Sequence, residues 1–167
     1  MKTLKQNKIE IKWAIIFSIV MLAWVTLEML FGLHGEHIDK HPIYTNFFSL
    51  FAIAVYVFAL LDKRKIDFNG FMTYKQGVIV GITITIFITI LSPFNQLITT
   101  TIITPDFFPN VIEYSVFEEL MTEEEAKNYF NLKSYMIQAT IGAFFMGVLT
   151  SVLVAFFTKS KKVKKQE

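Results

Sequence analysis

The sequence contains no cysteine, and it has only seven glycines and four prolines in 167 residues. Without cysteine the chain cannot form a disulfide, supply a thiolate metal ligand or use a cysteine nucleophile. The Gly-x-Ser-x-Gly, P-loop and Gly-x-Gly-x-x-Gly patterns of several large enzyme classes are also missing from it. No motif indicates a catalytic residue, so we expect a protein that is not an enzyme and that carries no cofactor.

Charged residues are scarce as well. They make up 18% of the chain, against about 25% in an average soluble protein. In their place the sequence has four apolar stretches of about the length that a helix needs to cross the ~30 Å hydrocarbon core of a bilayer. These stretches cover residues 11–33, 43–61, 77–103 and 134–157. Because backbone polar groups in lipid must be paired internally, the sequence predicts an all-α, four-helix membrane bundle that forms one domain over residues 1–167.

The lysines that precede the first apolar stretch would also suit a secretory signal peptide. The apolar core of such a peptide is only about 7–15 residues long and ends at a cleavage site of small residues. Here the apolar run continues from Ile11 to Leu33 without such a site. We therefore expect the first span to remain as a membrane anchor.

Basic residues are segregated along the chain. The N-terminal tail, the 62–76 connection and the C-terminal tail hold thirteen of the sixteen Lys and Arg, and the two other connections hold only Lys40, Lys127 and Lys133. Lysine and arginine concentrate in cytoplasmic loops. The distribution therefore predicts that the N and C termini are both cytoplasmic. It also explains the net charge of +2 without a nucleic-acid partner.

The connection between the third and fourth spans, residues 104–133, is long enough to contain structure of its own. Thr122 and Glu125 have the spacing of a capping box, which predicts a short amphipathic helix directly after Thr122. Acidic side chains predominate in this loop. Its 106–133 segment is therefore a candidate surface for a partner protein.

Small residues recur every four positions on the third and fourth spans, and they include Gly81 and Gly147. Stripes of small residues allow helix backbones to approach closely in lipid. We expect these two spans to pack together within one chain. A homo-oligomer seam or a sliding surface in a transporter would use the same stripes.

Polar residues in the spans predict a vestibule that opens outward. Glu28 is the only acidic residue well inside a span, and intramembrane ionisable groups usually face a bundle interior or a cavity. Amide side chains occur at similar depth in the other three spans. The candidate ligand-binding residues are Glu28, Asn46, Asn95, Gln96 and Gln138. The same groups could instead only form hydrogen bonds between neighbouring helices.

All three histidines lie in the connection that follows the first span. Imidazole and carboxylate groups are suitable zinc ligands. The candidate metal ligands are therefore His34, Glu36, His37, Asp39 and His41. A solvated turn, or a pH-sensitive cap over Glu28, would use the same residue types.

Six segments carry a resemblance to a known family: residues 9–14, 33–41, 61–65, 72–77, 91–93 and 121–133. Through them the chain as a whole resembles the domain of unknown function family 4199. The resemblance implies a bacterial four-helix membrane protein, which we expect in the inner (cytoplasmic) membrane. Because that family has no assigned activity, the resemblance implies no catalytic residue, substrate or cofactor.

Three functions are compatible with these features. The first is a non-enzymatic membrane protein that binds a small ligand or a partner protein through the vestibule and the 106–133 loop. The second is a transport or ion-coupling subunit in which Glu28 and a kink of the third helix at Pro93 define a pathway. It would require oligomerisation because four helices are few for a transporter. The third is a metal-binding protein of the outer side.

Overall fold

The computed structural model describes residues 7–160, and within that range every regular element is helical and no strand is present. The helices are α1 (Lys8–Leu30), α2 (His41–Tyr44), α3 (Phe48–Ile66), α4 (Tyr74–Ile98), α5 (Phe107–Phe117), α6 (Glu123–Tyr129) and α7 (Leu132–Thr158). A π-helical turn, Thr99–Ile103, follows α4. Four of the helices, α1, α3, α4 and α7, are long and apolar enough to cross a membrane. The predicted all-helical fold with four long apolar helices is confirmed.

The ends of the long helices differ from the apolar stretches for local reasons. Helix α1 ends at Leu30 rather than near residue 33, because Gly32 adopts a φ of +73° that a helix cannot continue through. Helix α3 runs on to Ile66, five residues beyond the apolar stretch, because the charged residues of its last turns have partners on α1. Helix α4 begins earlier than predicted, at Tyr74, since Thr73 and Gln76 form a capping box.

The loop between α4 and α7 contains two helices. In α6 the amide of Glu125 donates to the Thr122 hydroxyl over 3.3 Å, and the amide of Thr122 donates to the Glu125 carboxylate over 2.9 Å. The capping box that the sequence indicates is therefore formed. That α6 acts as an amphipathic helix stays a prediction.

The bundle has two distinct ends. We call the end with the start of α1, the 67–73 turn and the end of α7 the terminal face, and the end with residues 31–47 and 104–131 the loop face. At the terminal face the amide of Ser160 donates to the carbonyl of Met72 over 2.8 Å, which joins the end of α7 to the turn before α4.

Helices α4 and α7 make the most extensive helix contact of the described chain. A Cβ atom added at Gly81 would lie 2.6 Å from the Cβ atom of Ser151, and one added at Gly147 would lie 2.5 Å from Thr85. Glycine is therefore needed at both positions for this approach. A buried hydrogen bond of 3.3 Å between the hydroxyls of Thr85 and Ser151 crosses this seam, and the Tyr56 hydroxyl of α3 forms a second buried hydrogen bond of 2.8 Å with Thr85. The predicted packing through Gly81 and Gly147 within one chain is confirmed.

A buried ion pair joins α1 to α3 near the terminal face. The Nζ atom of Lys63 lies 2.7 Å from the Glu10 carboxylate and 2.6 Å from that of Asp67. Glu10 and Lys63 are only 3% and 6% exposed, although both are charged residue types. The sequence predicts that Lys63 lies in a basic connection. In the structure Lys63 belongs to the last turns of α3 and joins that helix to α1.

Candidate functional site

Three titratable side chains converge at the loop face, where α1 ends. Glu28 lies in the last turn of α1, two residues before Leu30, and the amide of Leu33 donates to the Glu28 carbonyl over 2.9 Å. Gly32 then reverses the chain, so that His34 folds back beside Glu28. The third residue, His41, begins the short helix α2. The tight turn at Gly32 and the position of α2 thus bring together three side chains that are up to thirteen residues apart in the sequence.

The ligand atoms of this cluster lie within 4.8 Å of one another. The Glu28 Oε2 atom is 3.5 Å from the Nε2 atom of His34 and 4.0 Å from that of His41. The side chains of Glu28, His34 and His41 are 3%, 8% and 23% exposed. We call these three residues the loop-face cluster. It is buried except on the side of His41.

Neighbouring groups fix the orientation of the cluster. The indole of Trp24 donates to the Glu28 Oε1 atom over 2.7 Å, which leaves Oε2 facing the imidazoles. The Phe107 ring of α5 lies 5.2 Å from both imidazole rings, measured between ring centroids. The Asn110 side chain donates to the carbonyl of His34 over 2.8 Å. Helix α5 therefore holds the turn in place.

One polar atom of the cluster has no partner among the described residues. The Nδ1 atom of His34 is buried and accepts or donates no hydrogen bond there. A buried polar atom without a partner costs about 1–3 kcal/mol, and most such atoms in proteins are satisfied by other groups, waters or ions. The cluster is thus incompletely satisfied by the protein alone.

The structure separates the five predicted metal ligands. His34 and His41 belong to the loop-face cluster, whereas Glu36, His37 and Asp39 are exposed and are not part of it. The third member of the cluster is Glu28, which is one of the predicted vestibule residues. Glu28 and His34 come together because the chain turns at Gly32, and the spacing of the two residues does not predict that turn.

A cavity of about 840 Å³ lies in the bundle between α3 and α7, with α1 and α4 behind it. We call it the lateral cavity. Apolar side chains line most of it, from Phe17 on α1 to Phe157 on α7. Polar side chains are concentrated near the loop face, where α3 begins and α4 ends. They include Asn46, Asn95 and Gln96.

The five predicted vestibule residues consequently fall in different surroundings. Asn46, Asn95 and Gln96 line the lateral cavity, and the Asn95 amide donates to the hydroxyl of Ser18 over 2.9 Å. Glu28 is not among the cavity-lining residues. Gln138 is exposed and is hydrogen-bonded to Tyr129 and Ser134. The structure does not bring the five together in one vestibule.

Small residues in the half of α7 nearer the loop face mark the position of the cavity in the sequence. Ala139, Gly142 and Ala143 all line it, and a Cβ atom added at Gly142 would meet no other atom within 4 Å. Small side chains on this part of α7 therefore leave space rather than close a contact. The predicted packing stripe on α7 consists of Ala139, Ala143, Gly147 and Ser151. Gly147 and Ser151 pack against α4, whereas Ala139 and Ala143 line the cavity together with Gly142, which is not part of the stripe.

Four long apolar helices and polar groups buried between them define a helical, multi-pass membrane protein. Comparison with known families agrees with this class. The chain belongs to the family described as "Protein of unknown function (DUF4199)", whose model matches residues 12–160. The resemblance inferred from the six segments is confirmed. The chain matches no curated protein and no solved structure.

Proposed function

We propose that the chain is a non-enzymatic membrane protein that binds one amphipathic small molecule in the lateral cavity. The observation that supports this most is the cavity's shape and lining. Its volume of about 840 Å³ lies in the range of about 300–1,000 Å³ that small-molecule sites occupy. Such sites are mostly apolar with a few placed polar groups, and they often lie between the helices of bundles.

The distribution of side chains specifies the chemistry of the ligand. Asn46, Asn95 and Gln96 offer amide donors and acceptors near the loop face, and none of the residues from 7 to 160 that line the cavity is charged. Toward the terminal face the lining consists of apolar side chains such as Leu153 and Phe157. This arrangement suits a molecule with an uncharged or weakly polar head and one apolar chain.

The position of the cavity suggests that the ligand enters from the lipid. Ile53, Met146 and Leu149 line it, and each is also exposed on the outside of the bundle. In a membrane this surface faces hydrocarbon. A molecule dissolved in the bilayer would therefore reach the cavity between α3 and α7 without crossing water.

A cavity-filling variant tests the proposal. Gly142→Phe should place a ring in the cavity without a steric clash, because a Cβ atom there meets nothing within 4 Å. The full chain in lipid nanodiscs would be titrated with N-dodecyl dansylamide, a fluorescent probe that has an uncharged polar head and one apolar chain. We expect saturable binding to the parent, and a loss of about tenfold or more in affinity for Gly142→Phe, equivalent to ~1.4 kcal/mol.

The matched control is Ile141→Phe, which adds a similar ring to an adjacent residue that is 54% exposed and does not line the cavity. It should bind the probe like the parent. The proposal fails if the parent shows no saturable binding above that of empty nanodiscs, or if Gly142→Phe and Ile141→Phe bind equally well.

We also propose that both termini lie in the cytoplasm of a bacterial cell, with the protein in the inner membrane. The support is the division of thirteen basic residues against three, which follows the positive-inside rule. The terminal face would then be cytoplasmic and the loop face external. A reporter enzyme that is active only outside the cytoplasm, fused to the C terminus, should be inactive. High activity would reverse the assignment.

A further inference from the structure

We infer that the loop-face cluster is a binding site for a divalent transition metal ion, with zinc the best match, held by Glu28, His34 and His41. Two imidazoles and one carboxylate form a ligand set that zinc uses in proteins, with water as the fourth ligand. This inference is independent of the proposed function, because none of the three residues lines the lateral cavity.

The geometry is close to that of a tetrahedral site. Two zinc ligands with bonds of about 2.1 Å at the tetrahedral angle lie about 3.4 Å apart. The Glu28 Oε2 atom is already 3.5 Å from the His34 nitrogen and 4.0 Å from the His41 nitrogen. All three ligand atoms lie within 4.8 Å of one another, so the widest pair has to close to about 3.4 Å, and the partly exposed His41 is the side chain with most room to move.

The surroundings match those of a metal site in two further respects. A ligating carboxylate is usually held by a hydrogen bond to its other oxygen, and the Trp24 indole supplies that bond to Oε1. Phe107 packs against both imidazoles and forms an apolar wall beside them. Such a wall restricts solvent and strengthens the attraction between ion and carboxylate.

The weakly bonded imidazole of His34 gives further support. His34 is 8% exposed, and its Nδ1 atom has no hydrogen-bond partner in the described part of the chain. Its Nε2 atom faces a carboxylate at 3.5 Å, which is longer than a good charge-assisted hydrogen bond of about 2.7–2.9 Å. The Nε2 atom is therefore only weakly bonded by the protein, and an ion held between Nε2 and the Glu28 carboxylate would supply that interaction. The Nδ1 atom, on the other side of the ring, would still have no partner among the described residues.

Cobalt binding tests the site, since Co²⁺ replaces Zn²⁺ in tetrahedral sites and gives visible absorption that depends on the ligand geometry. The full chain, purified without a polyhistidine tag and treated with a chelator, would be titrated with Co²⁺ in detergent micelles. We expect one Co²⁺ per chain, with an intense visible spectrum that one equivalent of Zn²⁺ abolishes. Bound Co²⁺ should also quench Trp24, whose indole is bonded to Glu28.

Three variants show whether the cluster is responsible. Glu28→Gln and His41→Ala should each lower the Co²⁺ affinity by at least about tenfold, the smallest loss expected even for a group that only supports a ligand. His37→Ala removes an exposed histidine of the same turn and should bind like the parent. If Glu28→Gln does not fold, His41→Ala carries the test, because the His41 side chain is 23% exposed and its loss leaves the bundle packed.

The inference is overturned if the parent gives no saturable cobalt spectrum, which would mean that the cluster holds only hydrogen bonds between protein groups. It is also overturned if His37→Ala loses as much affinity as His41→Ala, since the ion would then bind the exposed turn. Loss of cobalt binding would leave the titration of the lateral cavity unaffected, so the two proposals can fail separately.

Discussion

Replacing Gly81 with alanine should destabilise the bundle, although alanine favours helix more than glycine does. The added Cβ atom would lie 2.6 Å from the Cβ atom of Ser151 and 3.1 Å from its Cα atom. Carbon atoms pack at about 3.5–4.0 Å, so α4 and α7 would have to separate by about 1 Å. The backbone atom in this contact cannot rotate away as the end of a flexible side chain could.

The size of the effect follows from two opposing terms. Overpacking a close contact costs about 1–3 kcal/mol, and alanine recovers at most about 1 kcal/mol of helix propensity. We therefore expect a net loss of about 1–2 kcal/mol in the free energy of unfolding. Gly147→Ala should behave alike, since its Cβ atom would lie 2.5 Å from Thr85 and 2.8 Å from the Tyr56 hydroxyl.

The assay is reversible unfolding of the full chain in mixed micelles with increasing SDS, followed by circular dichroism. Gly142→Ala is the matched control, because it makes the same change on α7 where a Cβ atom meets nothing within 4 Å. It should be as stable as the parent or slightly more stable. If Gly81→Ala and Gly147→Ala are both as stable as Gly142→Ala, the close approach of α4 and α7 through these glycines is refuted.

Two further predictions concern charged groups. Lys63→Met should cost about 3–5 kcal/mol, because it leaves Glu10 buried without its cation; unfolding in mixed micelles measures this, and an unchanged midpoint would show that the pair contributes nothing. Hydrogen bonds from the backbone and side chain of Thr122 lower the pKa of Glu125 below its ordinary value of 4.5. The ionised form therefore stabilises the start of α6 above about pH 4.5, and this contribution is lost as the pH falls through the lower folded pKa. Amide hydrogen exchange should show that α6 loses protection in that acid range, and that Glu125→Gln reduces the pH dependence more than Thr122→Ala, which keeps the backbone amide that donates to Glu125; a pH-independent α6 would contradict this.

The fold was largely predictable because membrane helices leave a strong record in the sequence. Apolar runs of sufficient length have few alternatives in a bilayer, and the glycines at 81 and 147 indicated which two helices approach closely. The helix ends were less predictable. Lys63 lies beyond an apolar stretch, yet it is helical because it forms an ion pair with Glu10 of α1. The local sequence does not reveal this partner.

The candidate site was only partly predictable for a related reason. The predicted vestibule residues are polar residues of apolar spans at similar depths in the bilayer. Depth along a helix, however, does not determine the direction in which a side chain points. Asn95 and Gln138 are at similar depth, yet one is buried against Ser18 and the other is exposed. The pairing of Glu28 with His34 depends on the positive φ of Gly32, which the spacing of the two residues does not encode.

The most direct test of the proposed function is native mass spectrometry of the full chain released from mild detergent. We predict that the parent carries one small amphipathic molecule per chain, retained through purification by the largely apolar lining of the lateral cavity. The Gly142→Phe variant should appear as the bare chain, while Ile141→Phe keeps the bound molecule. A parent that appears only as the bare chain, or a Gly142→Phe variant that carries the same bound molecule, would contradict the proposed function.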